Sequence, residues 1–256
     1  MIARRVFPKA LQGEAYFRWR GGDVSRVEAL SDMVFAFSLT LIVVSLEVPK
    51  TFSELLQAFE QIPVFAACFA ILLQCWHYNY RFHRRYGFED FFTELLNAAL
   101  LFLILMYVYP LKFLFTLLYR MLRGLPAVVQ GPGGEPLLGP DGAPLQMIEP
   151  QQMGPLMLLY SAGYAGIFLL YALMNYRAHR RREDLELTPV EIGMTLATVG
   201  GHLLSAGFGV ASVVLVLIDR SLVPFAGLIY LLIGPAQGLF WYWQGKKIDR
   251  AKTGES

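Results

Sequence analysis

Along the chain, long apolar stretches alternate with short polar, charged ones. Stretches of about 18 or more mostly apolar residues, the length that crosses a bilayer as a helix, fall at 32–48, 62–80, 92–112, 155–176, 191–218 and 222–244. Six such segments predict an all-α integral membrane protein with six transmembrane helices and leave no room for a soluble domain. The first 25 residues carry Arg4, Arg5, Lys9, Arg18 and Arg20 but no apolar core followed by a small-residue cleavage site. The first helix is therefore expected to act as its own insertion signal.

Composition agrees with the pattern. Of 256 residues, 55% are hydrophobic and 16% charged, and the mean hydropathy of +0.46 is too high for an ordinary soluble domain. The net charge of +2 says nothing about nucleic acid, because the basic residues follow the loops and form no single surface. Seventeen of them lie in the N-terminal segment, the 81–90 and 177–189 connections and the C-terminal tail; four (Lys50, Arg120, Arg123, Arg220) lie in the opposite connections. By the positive-inside rule both termini are cytoplasmic and the number of crossings is even. The domain plan is a cytoplasmic segment at 1–25, a six-helix domain at 26–246 and a cytoplasmic tail at 247–256.

The connection at 124–154 is rich in Gly and Pro and contains Arg or Lys nowhere. Such a composition does not sustain a helix, so a flexible external loop without essential chemistry is expected. In the fifth segment Gly193, Ala197, Gly201, Ser205 and Gly209 recur every four residues, a small-residue ridge that lets helices approach closely. Packing within the subunit is the preferred reading of this ridge over a contact between subunits. Cys68 and Cys75 are seven residues apart on one helix, about 10 Å along its axis, too far for a disulfide.

Several candidate chemistries fail on context. The string TVGGH, Thr198 to His202, resembles a carbonyl selectivity filter but lies mid-way along a continuous apolar helix, not on a re-entrant loop. His202 and Ser205 share a helix face, yet no nucleophile turn surrounds them, and no H-E-x-x-H metal signature occurs. His77 and His83, six apart, do not share a face. Catalysis is not expected, and no cofactor is.

What remains is the stretch RVEALSDMVFAFSLTLIVVSLEVP, Arg26 to Pro49. Its charged end carries Arg26, Glu28 and Asp32, which at the membrane boundary need partners on neighbouring helices. Candidates at matching depth are His77, Asn79 and Asn97. Such contacts would form a polar latch at the inner ends of three helices. Further along, Phe37, Thr40, Leu41 and Val44 fall at i, i+3, i+4 and i+7, one stripe of a helix; Ser38 and Ser45 make another. On a packed or lipid-facing helix Thr40 would bond its own i−4 carbonyl at Ala36. Lining a pore, it would offer oxygen to a partly dehydrated cation.

Arg26, Ser31 and Asp32, with the apolar run after them, resemble the R-x-x-x-F-S-D signature that opens the transmembrane protein 175 family of endolysosomal potassium channels and their prokaryotic relatives. Trp76 with the polar residues after it, and the segment with Asp90, Asn97 and Pro110, resemble that family's second and third helices. The resemblance is specific over about residues 26–112 and topological beyond. It implies a six-helix subunit, a homotetramer, and a central pore lined by the first helices with no carbonyl filter. Phe37, Leu41 and Val44 then form an apolar constriction, potassium passes near the Thr40 layer, and Arg26, Ser31, Asp32, Trp76, Asn79 and Asn97 anchor the helix. Two departures stand out: Leu30 replaces the signature phenylalanine, and Phe37 stands where the family usually has isoleucine or leucine. WHYNYRFH also lacks an adjacent histidine pair after Trp76. The expected protein is a potassium-selective channel of a prokaryotic cell membrane, a multi-pass protein in contact with lipid. The alternatives are a secondary transporter, a proton-permeable channel, or an interaction protein with a sealed centre.

Overall fold

The computed structural model describes residues 14, 16–44, 50–131 and 134–253. They are helical apart from connections: α1 (Arg26–Val44), α2 (Phe52–Glu60), α3 (Ile62–Tyr86), α4 (Phe91–Leu122), α5 (Met153–Arg180), α6 (Pro189–Ile218), α7 (Val223–Leu228) and α8 (Ile233–Thr253). Five stretches, 62–86, 91–122, 150–180, 189–218 and 223–247, are long and apolar enough to cross a membrane. α1, 19 described residues with Arg26, Glu28 and Asp32 in its first two turns, is not among these five; Ser45 lies outside the described residues.

The ends of these helices follow from local chemistry. Ser25 accepts the Glu28 amide at 3.1 Å at the start of α1, and Asp90 accepts the Thr93 amide at 3.3 Å at the start of α4. α6 opens on a capping box, Thr188 with Glu191, with Pro189 behind the cap, where a missing N–H costs nothing. α3 closes at Gly87, left-handed with φ 60°.

Packing divides the bundle. α1 lies against α3 and α4, α5 runs along α6, α4 joins α5, and α8 rests on α6. The small-residue ridge serves the subunit's own packing. A β-carbon on Gly209 would meet Ala165 Cβ at 2.9 Å, and one on Gly201 would meet the Trp241 ring at 3.1 Å, so α6 closes on α5 and α8 at these two points. Gly193 faces open space. Cys68 and Cys75 are buried, free thiols.

Three features differ from the sequence expectation. A short helix, α2, occupies the link between the first two long helices. The last apolar segment is broken: α7 is followed by a 3₁₀ turn at Ile229–Leu232 before α8, where Pro235 has no N–H to give to the preceding turn. The third is the 124–154 connection, expected to be flexible and instead hydrogen-bonded. Val129 donates to the Leu145 carbonyl, Leu145 to Leu137 and Leu137 to Val129, at 2.8, 2.8 and 2.9 Å. These three positions, eight residues apart, close a triangle, with Gly134 and Gly142 at φ 83° and 76° making the turns between them. Buried Arg120 ties this knot to α4 through the Pro126 carbonyl at 2.8 Å and the Gln130 side chain at 2.9 Å.

Candidate functional site

α1 has two faces of opposite character. Ser31, Phe35, Ser38 and Ile42 are fully buried, at i, i+4, i+7 and i+11, one stripe facing α3 and α4. Leu30, Met33 and Phe37 on the other side are exposed, Phe37 at 56%, and Thr40 is exposed with them. Leu41 is half-buried against the core, so it stands at the edge of the exposed strip. Val44 ends the described helix, and its side chain lies outside the described residues.

The buried stripe is pinned by a polar latch at its Arg26 end. Asn97 of α4 donates to Ser31 Oγ at 2.9 Å and accepts from Asn79 of α3 at 2.8 Å. His83 Nε2 comes within 3.5 Å of the same Asn97 oxygen. Ser31, Asn79, His83 and Asn97 are all buried, so each needs the partners it has. At the rim, Trp76 Nε1 donates to Asp32 at 2.7 Å, and Glu28 pairs with Arg84 at 3.0 Å. Trp76 also stacks on Tyr80, with centroids 5.5 Å apart.

Of the expected latch partners, Asn79 and Asn97 take part and His77 does not; His77 is exposed. His83 takes its place because it sits four residues beyond Asn79, on the same face of α3, whereas His77 does not. Arg26 is exposed at the helix start, away from the latch.

The hydroxyls along α1 share one geometry. Ser31 donates to Val27 O at 2.9 Å, Ser38 to Val34 O at 2.8 Å and Thr40 to Ala36 O at 2.9 Å. This i−4 bond uses the Thr40 proton and leaves the oxygen lone pairs available on the exposed face. An oxygen so held is an acceptor only, suited to a cation.

A second set of contacts, not read from the sequence, ties the N-terminal segment to the bundle. Glu14 pairs with Arg81 at 2.7 Å and Arg85 at 2.5 Å. Burial works against the Glu14 charge, but the two guanidinium groups outweigh it and hold the carboxyl below its ordinary range. Phe17 lies edge-on to Tyr86 with centroids 5.7 Å apart, and Arg20 pairs with Glu191 at 2.8 Å. Asp90 is gripped by Arg177 and by Thr93 Oγ1, the latter at 2.9 Å. Its carboxyl too is held low, the Thr93 bonds and the charges of Arg177 and Arg181 outweighing desolvation.

The remaining candidates lie on α6. Thr198 to His202 lie within the unbroken α6, which leaves no loop from which carbonyls could form a filter. Ser205 accepts from Gln237 at 2.8 Å, and no hydrogen bond joins it to His202 among the described residues.

Residues 26–110 match the family model described as the endosomal/lysosomal potassium channel TMEM175. That span holds α1, α3 and most of α4, the helices joined by the latch. A protein of Marivirga tractuosa named a potassium channel is 32% identical over 252 residues, covering 96% of this chain and 98% of its own. The chain belongs to the TMEM175 family.

The crystal structure of the potassium channel MtTMEM175, a variant in complex with a nanobody–MBP fusion protein, matches with a TM-score of 0.76 at 32% identity, over 91% of this chain and 99% of that one. A lysosomal potassium-selective channel TMEM175 homologue from Chamaesiphon minutus shares the fold with a TM-score of 0.52 at 19% identity, over 86% of this chain and 96% of that one. In TMEM175 terms, the signature residues Arg26, Ser31 and Asp32 divide their work. Ser31 enters the buried latch, Asp32 takes the Trp76 indole at the rim, and Arg26 stays outside both.

Proposed function

We propose that this TMEM175 chain is one subunit of a homotetrameric potassium channel whose central pore is lined by the exposed strip of α1. The observation that carries the reading is the asymmetry of that helix. One face is buried against its own subunit and fixed by hydrogen bonds, while Phe37 and Thr40 stand uncovered on the other. A bundle that holds one helix this firmly and leaves an aromatic ring and a hydroxyl facing outward has prepared that face for another copy or for a path between copies.

Selectivity then rests on dehydration. Phe37, with Leu41 at the edge of the strip, forms a narrow apolar ring through which an ion must shed water. Potassium, the larger ion, holds its water less tightly than sodium, since the charging energy of an ion falls with its radius. The Thr40 oxygens, their protons committed to the Ala36 carbonyls, repay part of the loss. Six crossings, with both termini cytoplasmic, follow from counting α1 with the five longer spans and from the distribution of Lys and Arg. The setting is a prokaryotic cell membrane.

A carrier reading draws on the broken last segment, since transporters bind substrate at discontinuous helices. Residues 221–245 contain no Asp, Glu, Lys or Arg, so the break lacks the charge such a site uses.

Oxidative cross-linking tests the assembly. A Phe37→Cys chain, with Cys68 and Cys75 replaced by Ala, is expected to give disulfide-linked dimers in membranes, and the same exchange at Ser38 is not. Cross-linking at Ser38 and none at Phe37 would refute the pore-facing assignment.

A further inference from the structure

Away from α1, a cavity of about 40 Å³ lies between α3, α5, α6 and α8, lined among others by Arg81, Arg85, Asn175, His202, Ser205 and Gln237. Two features of its wall call for an occupant. His202 is 5% exposed and is held only by rings: Tyr171 stacked at 5.3 Å, Tyr78 edge-on at 4.8 Å and Phe168 at 6.0 Å. Among the described residues neither of its ring nitrogens has a hydrogen-bond partner, yet an imidazole always carries at least one N–H to donate. His202 lines the cavity, so the ring's N–H is open to whatever occupies that space.

The second feature is charge. Arg81 and Arg85 both pair with the single carboxylate of Glu14, and Arg85 is 3% exposed. Arg20 and Glu191 close on each other at 2.8 Å and supply nothing to this site. Among the described residues two guanidinium groups thus share one carboxylate, which leaves an excess of positive charge on the cavity wall, part of it on half-exposed Arg81, while Arg85 also donates to Thr198 Oγ1 at 3.2 Å. At roughly 10–15 Å³ per water-sized body, the cavity takes about three or four such bodies, room for a small anion with water beside it.

We propose that this cavity binds one small monovalent anion of halide size, with His202 and Arg85 as its donors. The anion completes the neutralisation of a joint where the N-terminal segment, through Glu14, meets α3, and where α6 meets α8 through Gln237, which donates to Gly201 O at 2.7 Å and to Ser205 at 2.8 Å. The inference is independent of what α1 conducts.

Thermal unfolding of the full chain in detergent tests it, comparing potassium chloride, bromide and gluconate at equal potassium. The expected result is a midpoint several degrees higher in chloride or bromide than in gluconate, saturating with concentration. A general salt effect would have the opposite sign, because the more excluded gluconate favours the compact state. Diffraction from bromide-soaked crystals of the full chain is expected to give an anomalous peak beside His202. His202→Phe, which retains the ring packing and removes the N–H, is expected to abolish both signals, and Arg85→Gln to weaken both.

Equal midpoints in all three salts, with no bromide peak in the cavity, would mean that water alone fills it. That result overturns the proposal. So does a halide dependence that survives unchanged in His202→Phe, which would locate the anion elsewhere. The bromide peak in the unmodified chain decides the matter even if a variant fails to fold.

Discussion

Asn97 on α4 donates to Ser31 on α1 across 2.9 Å while its carbonyl accepts from Asn79 on α3 at 2.8 Å. One buried amide thus fixes the rotation of α1 against two neighbours, and that rotation decides which face is left outside. Asn97→Leu would strand the Asn79 amide and a Ser31 oxygen in an apolar interior. A loss of about 2–6 kcal/mol is expected, from one to three for each unsatisfied buried group, read as a lower unfolding midpoint in detergent.

Trp76→Phe isolates the rim contact. The ring packing on Tyr80 is retained and the 2.7 Å bond to Asp32 is lost. Because Asp32 is exposed, the stability cost is modest, about 1–2 kcal/mol for a bond to a charged acceptor. The change is expected to alter channel opening, through freer rotation of the α1 entrance, more than the midpoint. Single-channel recording beside thermal unfolding checks this.

Substitutions on the exposed strip should show the reverse pattern. Thr40→Val and Phe37→Ala touch little within the subunit, so each is expected to leave subunit stability within about 0.5 kcal/mol, as surface changes do. Thr40→Val removes the oxygen and is expected to lower the preference for potassium over sodium. Phe37→Ala widens the ring and is expected to raise conductance while lowering selectivity. Current–voltage curves in mixed gradients measure both.

Acid should loosen the joint between α4 and α5. Asp90 has its folded pKa depressed below 3.8, so its contribution to stability is fully present above that value and is lost as pH falls through the lower folded value. The unfolding midpoint is expected to hold from pH 7 to about 5 and to fall below about 4. Asp90→Asn is expected to start from a lower midpoint at neutral pH and to show a smaller fall. Glu14 adds to the fall in the same direction, so its replacement by Gln separates the two.

The latch was legible in part. Asn79 and Asn97 stand out because amides are rare in apolar helices and each demands a partner. His83 was missed in favour of His77, although its i+4 spacing from Asn79 was the signal that separates them. Phe37 and Thr40 were placed together by helical periodicity, but the same periodicity carried Leu41 with them. Only packing against the core shows Leu41 to be at the edge. Composition does not reveal the knot at 127–147; its cue is a repeat, Gly-Pro-x-Gly-x-Pro-Leu at 131–137 and again at 139–145. The ion pairs of Glu14, Arg20 and Asp90 join residues about 70 to 170 positions apart, and no local pattern encodes such distances. The break at Ile229–Leu232 has a cue in Gly234 and Pro235, but the hydropathy runs on through it.

The central claim is that Phe37 and Thr40 line a potassium-selective path, and the reversal potential tests it most directly. Purified protein is placed in a planar bilayer with potassium on one side and sodium on the other, and the zero-current voltage is read for the unmodified chain and for Thr40→Val. The account predicts a reversal displaced toward the potassium potential and a shift back toward zero in the variant. A reversal near zero in the unmodified chain, or one displaced equally in both, would contradict it.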